Sequence, residues 1–180
     1  MDRSQNDQIK KHHEHTHLAG EYKYGDSGQI ILLILFVIGV LLDTIFFHTG
    51  AEYRQAVSLF IRIPLSVICL CFSLLLIQSS HKTIFDSSQN GSTVVDRGAY
   101  GVVRHPMYLG MILFYLTVTV LFLSVIAMII LLIIIIFYYF IARYEERILL
   151  DKFGQVYERY MNRVPMLIPC RWRASSGKRE

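Results

Sequence analysis

The sequence predicts an all-α integral membrane protein with about four transmembrane helices, a C-terminal helical hairpin and a cytoplasmic amphipathic helix. Three observations predict it. Of the 180 residues 53% are hydrophobic, they are gathered into long runs, and 16 of the 18 Lys and Arg residues lie in segments that four crossings would place on one side. The same distribution argues against a nucleic-acid partner, because the net charge is only +4 and no basic face with interleaved aromatics occurs. The expected partner is the lipid bilayer; the oligomeric state stays open.

Residues 1–27 form a polar segment, and the apolar stretch that follows is too long for a signal-peptide core, so it is expected to stay in the mature protein. Residues 28–94 hold the first two crossings and a loop. Ile30 to His48 is the first, interrupted by Asp43, and Ala56 to Ile77 is the second, with Arg62 and Pro64 near its start, where a helix tolerates proline best. Asp43 and Arg62 stand at similar distances from the intervening turn and are expected to pair.

Met107 to Ala142 is apolar over 36 positions. As one helix it would reach about 54 Å at 1.5 Å per residue, far beyond a hydrocarbon core of about 30 Å. A reversal is therefore expected around Leu121 to Ile126, inferred from length alone because no Gly or Pro marks it. Four crossings put the N-terminal segment, the Gln78 to Pro106 loop and the C-terminal tail together, with 4, 3 and 9 basic residues, and leave only Arg54 and Arg62 opposite. The positive-inside rule then makes both termini and the central loop cytoplasmic.

The entry to the last hairpin reads Gly98-Ala99-Tyr100-Gly101-Val102-Val103-Arg104-His105-Pro106-Met107-Tyr108-Leu109-Gly110. Pro106 keeps His105 out of helical geometry and suits the first helical position, which holds His105 in a fixed direction. Tyr108 brings a polar tip, and Gly110 allows close approach of a ligand or another helix. The exit carries Arg143, Glu145, Glu146 and Arg147, then Leu149, Phe153, Tyr157 and Tyr160 at helical spacing. An amphipathic helix there would lie along the membrane or fold back over the hairpin and roof a site.

Residues 95–169 closely resemble the isoprenylcysteine carboxyl methyltransferase family and related phospholipid methyltransferases. The resemblance rests on Gly98-x-Tyr100, Arg104-His105-Pro106-x-Tyr108-x-Gly110, Glu145-Glu146, Phe153-Gly154, Tyr157, Tyr160, Arg163 and Pro165, in that order. It implies a bundle of membrane helices that binds S-adenosylmethionine beside the lipid, without the soluble methyltransferase sheet. It further implies a cofactor site of Tyr100, Arg104, His105, Pro106, Tyr108, Gly110 and Glu145, with Glu146, Arg143 and Arg163 as catalytic candidates. The acceptor would be hydrophobic or lipid-linked and enter from the membrane, most like a prenylcysteine C-terminal carboxylate.

Other readings compete. The glutamates or His105 could act as a base for an amine, as in phospholipid N-methylation. The juxtamembrane arginines could serve topology alone in a non-catalytic scaffold, and a nicotinamide-dependent sterol reductase relative would also place its site in the C-terminal membrane region. The hairpin lacks the Asn-Pro pair associated with eukaryotic prenylcysteine enzymes, which leaves room for a different acceptor. Elsewhere little chemistry is expected. The His12 to His17 run has no partner cage and is expected to hold no metal, Cys69, Cys71 and Cys170 are expected to be reduced, and residues 170–180 form a polar tail without a prenylation signal.

Overall fold

The structure is a computed structural model that describes residues 25–90 and 94–169; the His12 to His17 run, Cys170 and the polar tail lie outside them. Among the described residues all regular structure is helical. In chain order the helices are α1 (Gly25–Leu42), α2 (Ala51–Ala56), α3 (Leu59–Asn90), α4 (Pro106–Phe122), α5 (Val125–Phe153) and α6 (Gln155–Arg163). Three segments, Ser27–Phe47, Leu59–Phe85 and Val125–Phe153, are long and apolar enough to cross a membrane, and α4 is a shorter apolar helix. Their outward faces carry many exposed large apolar side chains, such as Ile31, Phe60 and Leu132, as suits a lipid solvent.

α4 packs between α3 and α5, and α1 lies against α5. The core is built from Phe36 and Val40 of α1, Tyr115 of α4, and Ala127, Leu131, Ile134 and Tyr138 of α5. The close approach of α3 and α4 centres on Gly110. A Cβ there would lie 2.8 Å from Ile77 Cγ1 and 3.2 Å from the Ser73 carbonyl oxygen, and the buried Ser73 hydroxyl donates to the Gly110 carbonyl at 2.7 Å. With no hydrophobic drive between helices in lipid, such small-residue contacts and interhelical hydrogen bonds hold a bundle together.

The expected reversal falls at Leu123 and Ser124. α4 ends with Leu123 in the left-handed region (φ 44°), and Ser124 caps α5 by accepting from the Ala127 N–H at 3.1 Å. The chain achieves this turn without Gly or Pro because other segments support it. Arg62 donates to the Leu121 carbonyl at 3.1 Å and Arg54 to the Phe122 carbonyl at 3.3 Å, placing two cations on the negative end of α4. Gly50 packs on the Leu123 carbonyl so closely that a Cβ would sit 1.9 Å from its oxygen. The expected Asp43–Arg62 pair does not form. Asp43 instead accepts from the Thr49 N–H at 2.8 Å and the Thr49 hydroxyl at 2.5 Å, since a π-helical turn over Asp43–Phe47 brings the chain back over its own carboxylate.

Candidate functional site

Pro106 opens α4 as its first residue, and His105 precedes it in non-helical geometry (φ −123°, ψ 65°). At the other arm of the hairpin α5 runs unbroken for 29 residues to Phe153. At 1.5 Å per residue it is about 43 Å long, against about 25 Å for the 17 residues of α4. The overhang carries Glu145 and Glu146 back past the start of α4, level with His105.

His105 sits between the two carboxylates. Its Nε2 is 3.2 Å from Glu146 Oε1 and its Nδ1 is 3.5 Å from Glu145 Oε2. Tyr108 donates its hydroxyl to Glu145 Oε1, and Arg104 Nε lies 2.8 Å from Glu146 Oε1. Glu146 is 3% exposed, His105 7% and the Arg104 side chain 10%, so these charges face one another rather than water. Glu146 Oε2 is buried with no hydrogen-bond partner. Burial alone disfavours an imidazolium, but the bonds and charges of Glu145 and Glu146 outweigh it and raise the His105 pKa above its ordinary value.

Aromatic rings continue the site inward. The His105 and Tyr108 rings stack at 5.6 Å, Tyr108 stacks on Tyr138 at 5.2 Å, and Tyr138 is wholly buried in the bundle. Tyr100 stands half-buried on the loop, its pKa pushed up to about 12 by burial and then by the charge of Glu145.

The roof follows from a break at Gly154, whose positive φ of 53° ends α5 and lets α6 turn back. α6 buries Tyr157 and Tyr160 with Val164 against Val94, Leu149 and Phe153. Four hydrogen bonds tie it and the strap beyond it to the entry loop. Tyr160 donates its hydroxyl to the Tyr100 carbonyl at 2.7 Å, Arg104 Nη1 to the Met161 carbonyl at 2.9 Å, the Arg104 N–H to the Pro165 carbonyl at 2.8 Å, and the His105 N–H to the Met166 carbonyl at 3.1 Å. Burial raises the pKa of both Tyr157 and Tyr160, with the Glu146 charge adding to the shift at Tyr157 and the neighbouring Tyr157 and Tyr100 adding to that at Tyr160.

The structure thus brings together Arg104, His105, Tyr108, Glu145 and Glu146, with Tyr100 beside them. It does not bring three others in. Gly110 faces α3, the helix-contact alternative of its expected roles. Arg143 is exposed one turn before Glu146, and Arg163, with its side chain 67% exposed, pairs with Asp96 at 3.6 Å on the surface. Sequence reasoning did not single out Tyr138, whose only signal was a tyrosine two turns before the Glu-Glu pair in an apolar run. Arg104, expected as a ligand contact, ties α5 to the roof in the structure.

The profile of one family, described as phospholipid methyltransferase, matches residues 55–156. The match takes in α3, both arms of the hairpin and the Gly154 break. No individual curated protein and no solved structure matches significantly. On the strength of a match across more than half its length, the chain belongs to the phospholipid methyltransferase family, a family of membrane methyltransferases that includes the isoprenylcysteine carboxyl methyltransferases.

Proposed function

We propose that the protein is an S-adenosylmethionine-dependent methyltransferase that modifies a hydrophobic, lipid-linked acceptor at the cytoplasmic membrane surface. The observation that carries this reading is the buried Arg104–Glu146–His105–Glu145–Tyr108 network, in a chain of a membrane methyltransferase family. With His105 neutral, two carboxylates face one permanent cation, leaving an excess negative charge, and Glu146 Oε2 lacks a donor. A cationic ligand fits such a place. The cofactor's amino group suits Glu145 or Glu146, and its sulfonium suits the face of Tyr100.

When bound, the cofactor supplies a methyl group on a ready leaving group. The chain's own residues then have to orient the acceptor and exclude water, and orientation of this kind is worth up to about 7–11 kcal/mol in the best cases. α6 and its strap serve exclusion; the stacked His105, Tyr108 and Tyr138 rings serve rigidity. Four crossings are the arrangement we infer, with α4 at the lower length limit of roughly 17 residues. The basic residues of the N-terminal segment, central loop and tail favour a cytoplasmic location for all three. Residues 95–169 would then form the methyl-transfer unit beside two crossings from residues 28–94.

An amine acceptor is favoured by the commitments of the arginines. Arg104 is held by Glu146 and Arg163 by Asp96, whereas Glu145, met only by the side chains of His105 and Tyr108, is the carboxylate that would take the proton an amine must lose. A prenylcysteine-type carboxylate is the second reading, resting on exposed Arg143 as a guanidinium able to receive both oxygens.

Calorimetry of the detergent-purified protein with S-adenosylmethionine tests the reading. Saturable binding is expected, abolished in His105→Ala and Glu146→Ala, followed by methyl transfer to an aminophospholipid in preference to a prenylcysteine. A well-folded protein that binds no cofactor would return the chain to the scaffold reading, and displacement by a nicotinamide dinucleotide would point to a reductase.

A further inference from the structure

We propose that Arg104 is a positioning residue that couples the seating of the roof to the orientation of the Glu146 carboxylate. This rests on the reading of Glu146 as the group that receives the ligand's cation. It departs from the ligand contact that the family resemblance implied for Arg104.

The side chain reaches two ways from a nearly buried stem. Toward α5, Nε lies 2.8 Å from Glu146 Oε1, but its N–H is off the line to that oxygen, so the contact is charge pairing rather than a linear hydrogen bond. Toward α6, Nη1 donates to the Met161 carbonyl at 2.9 Å in the last turn, where carbonyls carry the negative end of the helix dipole. The backbone adds a second tie, since Arg104 and His105 donate their N–H groups to Pro165 and Met166 of the strap. Three segments remote in sequence, at 104, 146 and 161–166, meet on this residue.

The division of Glu146 follows from these contacts. Oε1 is occupied by Arg104 and His105, while Oε2 is left without a donor. The guanidinium therefore holds the carboxylate by one oxygen and keeps the other available, and it does so only while its second arm is fixed by α6. A lysine has one compact charge and cannot span both partners in the same plane.

The test compares the full chain in detergent with Arg104→Lys and Arg104→Ala, by tryptic cleavage after Arg159 and Arg163 and by calorimetry with S-adenosylhomocysteine. We expect both variants to be cleaved in α6 at least tenfold faster and to bind the nucleoside about 10- to 100-fold more weakly, the range of a lost charge-assisted contact. Low-millimolar guanidinium ion should partly restore both properties in Arg104→Ala and neither in Arg104→Lys. Cleavage at the parent rate, or faster cleavage with unchanged affinity, would overturn the coupling. If the parent binds no nucleoside, the methyltransferase reading fails, while cleavage and its reversal by guanidinium still decide whether Arg104 seats the roof. Should Arg104→Ala aggregate, Arg104→Lys retains the charge and the stem and carries the comparison.

Discussion

The two ends of the α4–α5 hairpin both hold buried charge, and they satisfy it differently. At the reversal Arg62 and Arg54 donate to backbone carbonyls and Asp43 accepts from Thr49, with partners fixed by the course of the chain. At the open end Glu145, Glu146, Arg104, His105 and Tyr108 bond chiefly side chain to side chain, and one histidine stands between two carboxylates. Charges anchored on backbone cannot be exchanged without unwinding a helix end. Charges anchored on each other can be, because a cationic ligand can replace a proton or displace a side chain at modest cost. On this contrast we propose the open end, and not the reversal, as the place for chemistry.

Neutralising one carboxylate at the open end is the strongest way to test the contrast. Glu146→Gln keeps the shape of the side chain but removes the charge that Arg104 and His105 share, so cofactor affinity should fall about 100-fold, measured by calorimetry. Stability should also fall, since Arg104 is left without its counter-charge. The matching change at the reversal is Arg62→Gln, which deprives the end of α4 of a cation. A loss of about 2–3 kcal/mol in stability is expected there, with cofactor affinity within twofold of the parent in the protein that remains folded. Equal loss of affinity in both variants would erase the distinction between the ends.

The pH response should separate the ends again, more gently. The His105 pKa stands above its ordinary value despite burial, because Glu145 and Glu146 bond and attract the protonated ring. Stability from a raised group is fully present below its unfolded value, about 6.5, and is lost as pH rises through the folded value. The melting temperature should therefore fall across that window in the parent and stay flatter in His105→Ala. S-adenosylmethionine, competing with the same proton, should bind more tightly as pH rises and release protons that buffer-dependent calorimetric heats reveal. An affinity flat across the window would mean that ligand and proton do not share the carboxylates.

Much of this architecture was legible where a local rule fixed it. Proline at the first helical position set the start of α4, and the length of the apolar run required the reversal, found between Leu121 and Ile126 as expected. The Arg-His-Pro and Glu-Glu motifs marked the open end through the family resemblance they carry, since charges beside a membrane span on their own also serve topology. Contacts across the chain were not legible. Asp43 and Arg62 had matching distances from their turn, but the π-helical turn rotated the carboxylate toward Thr49, a local irregularity that periodicity does not encode. The role of Arg104 depends on where α6 lands, which is decided by the Gly154 break and by Tyr157 and Tyr160 packing back on the loop. A run read only for amphipathic spacing gives the helix face and not the direction of the fold.

The smallest expected effect concerns the arginine that the family resemblance placed at the chemistry and the structure places at the rim. Arg163 meets Asp96 at 3.6 Å with both side chains well exposed, so water and salt screen the pair and its contribution should lie near 0–1 kcal/mol. Arg163→Ala should leave the melting temperature almost unchanged and cofactor affinity intact. Its value lies in the acceptor. If an amine is methylated, no guanidinium is needed to receive it and turnover should hold within about twofold; if a carboxylate is methylated, Arg143 is the guanidinium that receives it, so Arg163→Ala should leave the acceptor KM level as well, where a rise in KM with kcat unchanged would be the pattern of a lost binding contact. A rise in KM confined to the carboxylate substrate would move Arg163 from the rim back to the site and extend the exchangeable network of the open end out to the surface.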